Sequence, residues 1–133
     1  MAWYLAWTLF AVAIIVGLVD LRVAGFVADE AQALANGAAR AGAMELDEAT
    51  FRASDGATIR LDQAAAAAAS AAFLADPVAG RRIVAHRIET TPGGVTVHVV
   101  ARANLPWLPA TTLERAGTAR LFTGNRVGVP TGP

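Results

Sequence analysis

An uncharged apolar segment near the start of the chain limits what the rest can fold into more than any other feature. Residues 2–19 (AWYLAWTLFAVAIIVGLV) contain no charged side chain. As a helix they would be roughly 27 Å long at about 1.5 Å per residue, close to the hydrocarbon thickness of a bilayer. Trp3, Tyr4 and Trp7 lie near its N-terminal end, where amphipathic rings favour the headgroup level. We predict a transmembrane helix over residues 2–19.

Two other interpretations of this segment are a cleaved signal peptide and a buried helix of a soluble protein. A signal peptide has a basic region before a shorter apolar stretch, and no arginine precedes this one. The downstream residues are mostly small and could hardly enclose such a helix. Asp20 and Arg22 mark the membrane boundary, and Asp20 is either the point where water begins or an assembly contact. The arginines that follow argue weakly against an external C-terminal part.

The helix is predicted to continue beyond the membrane as an amphipathic extension over residues 20–46. No proline occurs there, and alanine, the strongest helix former, dominates. Apolar residues recur at steps of three and four and so share one helical face. The members of this face are Val23, Val27, Ala31, Leu34, Ala38 and Ala41. A long helix, first apolar and then amphipathic, is the main organisational prediction.

Residues 47–122 are predicted to form an α+β domain. An alanine-rich helix precedes β-favouring segments, and Thr91-Pro92-Gly93-Gly94 is a strong hairpin signal. We predict one helix and three antiparallel strands, over residues 61–75, 82–90, 95–103 and 113–122. Alternation along the middle strand indicates one buried and one wet face. Residues 123–133 are predicted to be a flexible tail.

Charge and composition exclude several functions. Eleven arginines balance eleven acidic residues, and the sequence pI is about 6.7, so no basic surface exists to bind nucleic acid. The chain has no cysteine, which excludes disulfides, thiolate metal sites and a thiol nucleophile. Alanine supplies 32 of the 133 residues and buries little area, so the core is smaller than the 55% hydrophobic content suggests.

The sequence offers little catalytic chemistry. His86 and His98 fall on neighbouring predicted strands and could approach each other, but two imidazoles make at most half a zinc site. Trp107, between two prolines, is either a docking point or a cover for the core. No nucleophile triad, glycine-rich phosphate loop or pair of carboxylates is evident. We predict no enzyme, no cofactor, no metal site and no small-molecule substrate.

Four segments resemble a known family. Residues 17–22 (GLVDLR) follow the apolar helix, and residues 38–43 (AARAGA) lie in its amphipathic continuation. Residues 105–109 (LPWLP) and 116–121 (AGTARL) follow the valine-rich strand. The pattern is similar to TadE-like proteins, which are minor pilin-like components of tight-adherence (Flp-type) pilus systems. Members that a prepilin peptidase cuts carry a glutamate five residues into the mature chain, whereas position 5 here is Leu5.

The resemblance implies a pilin-like fold and a single-pass protein of the cell membrane, with its C-terminal domain outside the cytoplasm. It implies pilus assembly through contacts with the bilayer and with other pilin or pilus-assembly subunits. The apolar face from Val23 to Ala41 is then expected to pack laterally against equivalent helices. The alternative is an anchored extracytoplasmic binding module without a pilus role, in which the hairpin and the Trp107 loop contact a ligand.

Overall fold

The computed structural model describes residues 2–76 and 82–121. Three helices precede three strands: α1 (Ala2–Ala43), α2 (Glu48–Ala53), α3 (Gln63–Leu74), β1 (Ile83–Thr91), β2 (Gly94–Ala103) and β3 (Thr111–Arg120). The strands form one antiparallel sheet in the order β1-β2-β3. The α+β class and the three-stranded antiparallel sheet are therefore confirmed. The predicted tail, 123–133, lies outside the described residues.

α1 is one uninterrupted helix of 42 residues. Its length follows from the absence of proline and the abundance of alanine, which outweigh its four glycines. It ends at Ala43 rather than near residue 46, and Leu46 instead forms an isolated β-bridge with Leu61. The second half of α1 shares one apolar cluster with α3 and the sheet. We call this half, with α2, α3 and the sheet, the sheet domain.

β2 supplies the centre of the core because its alternate residues point at α1. The buried residues of this strand include Val95, Val97, Val99, Ala101 and Ala103. They belong to one apolar cluster with the covered face of α1 and with Leu61 and Leu74. The predicted alternation between a buried and a wet face is thus confirmed.

Small residues let the helices and the sheet approach closely. At Gly117 of β3, an added Cβ would lie only 2.5 Å from Ala35 O and from Asn36 N, so the helix backbone rests directly on the strand. Gln32 Nε2 donates to Ala116 O over 2.8 Å at the same level. On the other side, the buried Ser70 hydroxyl of α3 donates to Ala38 O over 2.9 Å. The alanine content therefore brings backbones together where larger side chains would hold them apart.

Two aspartates begin the short helices. Asp47 caps α2, a helix that the sequence analysis does not predict, and accepts from Thr50 N over 3.0 Å. The Thr50 hydroxyl also donates to Asp47, and this bond holds the pKa of the Asp47 carboxyl below its usual range. Because the folded pKa is lowered, the associated stability is present above the unfolded pKa and is lost as pH falls through the folded value.

We expect Asp62→Ala to destabilise the sheet domain by about 1 kcal/mol, the usual contribution of a helix N-cap. Asp62 accepts from Ala64 N and Ala65 N over 3.1 and 3.0 Å at the start of α3. Urea unfolding in detergent micelles measures the change. Asp62→Asn keeps an acceptor and should lose only a small part of the stability. Equal midpoints for Asp62→Ala and the unsubstituted protein would contradict the capping role.

Candidate membrane and assembly surface

The first half of α1 is an apolar rod that is bare on nearly all sides. From Trp3 to Val19 every side chain is exposed except that of Val16, which is half-buried. Trp3, Trp7 and Phe10 stack edge to face, with ring centroids 6.1 and 6.0 Å apart. By length and composition α1 is able to cross a membrane. So large an apolar surface is unusual on a soluble protein and suits a lipid environment.

The predicted membrane-boundary residues occupy three different environments. Trp3, Tyr4 and Trp7 are exposed at the start of the rod, and Arg22 is exposed at its other end. Asp20 instead is only 2% exposed. Neither of its carboxylate oxygens has a hydrogen-bond partner among the described residues. Asp20 therefore ends the uncharged segment without exposing its carboxylate to solvent.

The burial of Asp20 shows how far down α1 one helical face is covered. Asp20 shares a helical face with Val23, Ala24 and Val27, and each of these side chains is partly or fully buried. A carboxylate on an isolated helix would be open to water. This face of α1 is therefore buried within the protein as far as Asp20, one residue beyond the uncharged segment.

The apolar face predicted for lateral packing is occupied inside the chain. Val27, Ala31 and Ala38 are buried, while Val23, Leu34 and Ala41 are partly buried. Val27, Ala31 and Ala38 belong to the apolar cluster of the sheet and α3, and Leu34 packs against it. The six residues do form one face, but its buried members, Val27, Ala31 and Ala38, are not open to a neighbouring helix. The expectation that this face packs against other subunits is corrected for these three residues, which pack inside the chain instead.

The opposite side of α1 presents a shallow groove, which we call the open face. Its members are Leu18, Leu21, Arg22, Gly25, Phe26 and Asp29. Leu21 and Phe26 are 70% and 65% exposed. An added Cβ at Gly25 would meet nothing within 4 Å, so the protein's own packing does not require glycine there. A mid-helix glycine costs about 1 kcal/mol relative to alanine. Within the described chain, no close contact at Gly25 offsets this cost.

The two ends of the sheet lie at different levels along α1. At the start of β1, Arg82 Nη1 lies 3.3 Å from Glu30 Oε2, and its guanidinium lies 5.7 Å from the Phe26 ring. Arg102 N donates to Arg82 O over 2.9 Å, so the end of β2 is at this same level. We call this the span end, because the bare half of α1 begins just beyond it.

The hairpin turn lies at the opposite end of the sheet, beside the C-terminus of α1. An added Cβ at Gly42 would contact Val95, the second residue of β2. β2 has 10 residues, so its two ends are about 30 Å apart at roughly 3.3 Å per residue. A ligand that contacts both the hairpin turn and the loop containing Trp107, as in the binding-module alternative, would therefore have to span this distance.

The loop between β2 and β3, residues 104–110, leaves the sheet at the span end; we call it the Trp107 loop. Leu105 packs against the core from the base of this loop. Trp107 and Leu108 are 68% and 56% exposed. The interpretation of Trp107 as a cover for the core is wrong, because Leu105 has that position instead.

His86 and His98 lie on opposite faces of the sheet. The register pairs Arg87 with His98 and His86 with Val99, and successive strand residues alternate between faces. The predicted approach of the two imidazoles therefore does not occur. On the outer face, His98 Nδ1 lies 3.4 Å from Glu114 Oε1. Within residues 2–76 and 82–121, no three His, Asp or Glu side chains are grouped to hold a metal ion.

The open face and the Trp107 loop form the candidate functional surface, and sequence reasoning identifies only part of it. The sequence analysis does not predict the open face, because the charged residues Arg22 and Asp29 lie among its apolar residues. Gly25 was the available signal, since a glycine in a good helix calls for a reason. No family profile, curated protein or solved structure matches this chain. The likeness to TadE-like proteins rests on the four sequence segments alone.

Proposed function

We propose that this protein is a membrane-anchored, minor pilin-like subunit that acts in the assembly of tight-adherence pili. The observation that carries the proposal is the form of α1, a single helix with a bare apolar first half and a second half built into the sheet domain. Such a helix joins a bilayer to a folded domain without a flexible linker. The resemblance of residues 17–22 and 38–43 to TadE-like proteins supports the same function.

The proposal includes a pilin-like fold, a single pass through the cell membrane and an extracytoplasmic sheet domain. The role is structural rather than enzymatic. The bilayer and other pilin or pilus-assembly subunits are the partners. The uncharged length of residues 2–19 supports the membrane pass, and the family resemblance supports the orientation.

Subunits associate through the open face in this proposal. Helices in a bilayer associate where small residues let backbones approach and where polar groups meet. Leu21 and Gly25 are one helical turn apart and give such an approach, since nothing of the described chain covers them. Arg22 and Asp29 lie along the same groove and offer charges of both signs to a second helix.

We expect single cysteines on the open face to form disulfide-linked dimers or adducts with other subunits in native membranes. The chain has no cysteine of its own, so Leu18→Cys and Leu21→Cys each introduce a unique thiol. Oxidation in membranes followed by a non-reducing gel measures the product. Both variants should crosslink strongly, because their side chains lie on the proposed contact face.

Ala13→Cys is the matched control. Ala13 is also exposed on the bare rod, but it lies roughly 140° around the helix from Leu18. Random collisions in the bilayer would crosslink Ala13→Cys as much as Leu18→Cys, and that result would contradict a specific open-face contact. Ala31→Cys, buried against the sheet, should not crosslink at all.

The anchored binding module remains the second candidate. The observation in its favour is the exposure of Trp107 and Leu108 on a loop of the sheet domain. A protein that is inserted in the membrane but crosslinks at none of these positions would favour this alternative over a pilus subunit.

A further inference from the structure

We propose that the Trp107 loop rests on the same bilayer that holds α1, with Trp107 and Leu108 in the headgroup region. This inference rests on the proposed membrane anchoring and adds a second lipid contact to it. The partner is a lipid surface, and the site is the exposed tip of residues 104–110. The argument uses the position of the loop, its reach and its chemistry.

The position of the loop directs it towards the membrane. Both strands that flank it end at the span end of the sheet, where Arg82 contacts Phe26 and Glu30 of α1. The uncharged segment ends at Val19, about 10 Å below Phe26 at roughly 1.5 Å per residue. Asp20, the next residue, is only 2% exposed, so one face of α1 is buried within the protein down to the end of the uncharged segment.

The reach of the loop is sufficient for the contact. The interfacial layer on each side of the hydrocarbon core is about 5–8 Å thick. Along α1 this layer would extend from Val19 to about Ala24, at roughly 1.5 Å per residue. The loop has seven residues beyond Ala103, so its middle residue extends up to about 10 Å past the strand ends. Trp107 is that middle residue, so an extended loop is long enough to bring it to headgroup level.

The side chains of the loop suit the interface rather than water or the hydrocarbon core. Tryptophan is enriched at this depth because its ring is apolar and its indole N–H needs a polar partner. Pro106 and Pro109 restrict the backbone on either side of Trp107 and Leu108, which lowers the entropy lost when the loop docks. The exposed Arg22 and Arg102 lie at the same end of the protein and favour anionic headgroups.

Tryptophan fluorescence of the full chain in vesicles tests the contact. The chain contains three tryptophans, so Trp3→Phe with Trp7→Phe leaves Trp107 as the only emitter. The vesicles contain phosphatidylcholine and phosphatidylglycerol, with acyl chains brominated either near the glycerol or near the methyl end. We expect Trp107 emission to shift to the blue, to resist quenching by aqueous iodide and to be quenched more by the shallow bromines than by the deep ones.

Two further variants separate this inference from membrane anchoring. Trp107→Phe leaves Trp3 and Trp7, whose quenching by brominated lipid reports insertion of α1. Phe51→Trp, in a chain with the other three tryptophans replaced by Phe, places the emitter in α2 at the far end of the sheet domain and should remain open to iodide.

The outcomes are distinct. Lipid quenching of Trp3 and Trp7 together with full iodide access to Trp107 would overturn the loop contact and leave anchoring intact. Protection of Trp107 without any bromine quenching would indicate a protein cover and would also overturn it. Absence of lipid quenching at all three tryptophans would reject both anchoring and the loop contact. Equal shallow quenching of Trp107 and of the Phe51→Trp reporter would show non-specific adsorption and contradict the proposal.

Discussion

Ala38→Glu is expected to unfold the sheet domain. Ala38 has no exposed surface, and its carbonyl accepts the buried Ser70 hydroxyl of α3. A glutamate there would place a charge without a partner in the core, which costs about 3–5 kcal/mol, and it would also overfill the contact. Domains of this size have total stabilities of about 5–15 kcal/mol, so most of the stability would be lost. Protease resistance in detergent micelles measures the loss.

Ala33→Glu is the matched control for this change. Ala33 is exposed on the same helix, so the substitution makes the same change of residue type without burial. Its protease resistance should equal that of the unsubstituted protein. A stable sheet domain in Ala38→Glu would show that α1 does not pack on α3, and the face from Val23 to Ala41 would again be free for neighbouring subunits.

Gly117→Ala is expected to destabilise the sheet domain by about 3 kcal/mol, near the upper end for overpacking. The new methyl group would lie 2.5 Å from Ala35 O and Asn36 N, and real Cβ atoms essentially never approach closer than 3.0 Å. Both obstructing atoms belong to the backbone of α1, so neither can rotate away. The helix must therefore lift from β3. Urea unfolding in detergent micelles measures the change in the free energy of unfolding.

Gly93→Ala is the control within the same sheet. Gly93 lies in the hairpin turn, and an added Cβ there would meet nothing within 4 Å. Its unfolding free energy should change by less than about 0.5 kcal/mol, as for other open surface positions. An equal loss of unfolding free energy in the two variants would mean that glycine is needed in both places for its backbone freedom. That result would contradict the close contact between the backbones of α1 and β3.

The sequence predicts most of the secondary structure because local signals dominate it. The proline-free alanine-rich segment becomes α1, and the Pro92-Gly93 turn joins two strands whose observed bounds differ from the predicted ones by a single residue. α3 begins at its Asp62 cap and ends within one residue of the prediction. α2 is missed because it has only six residues and no apolar period.

Contacts between distant residues are predicted less well, and the two histidines show why. Both lie a similar distance from the turn, but Thr91 pairs with Gly94, which brings Arg87 opposite His98. A difference of one residue in register moves a side chain to the other face. The covered face of α1 shows a second difficulty. A regular apolar period predicts that one face of the helix is buried, but it does not indicate whether the same chain or another chain covers that face.

Because α1 is continuous, any tilt of its apolar first half would move the sheet domain with it. Residues 20–43 extend about 36 Å beyond the uncharged segment at roughly 1.5 Å per residue. Transmembrane helices tilt by about 20° on average. Such a tilt would move the C-terminal end of α1 sideways by about 12 Å. In the proposed anchored state, the tilt of the transmembrane segment would therefore decide where the hairpin turn lies relative to the membrane.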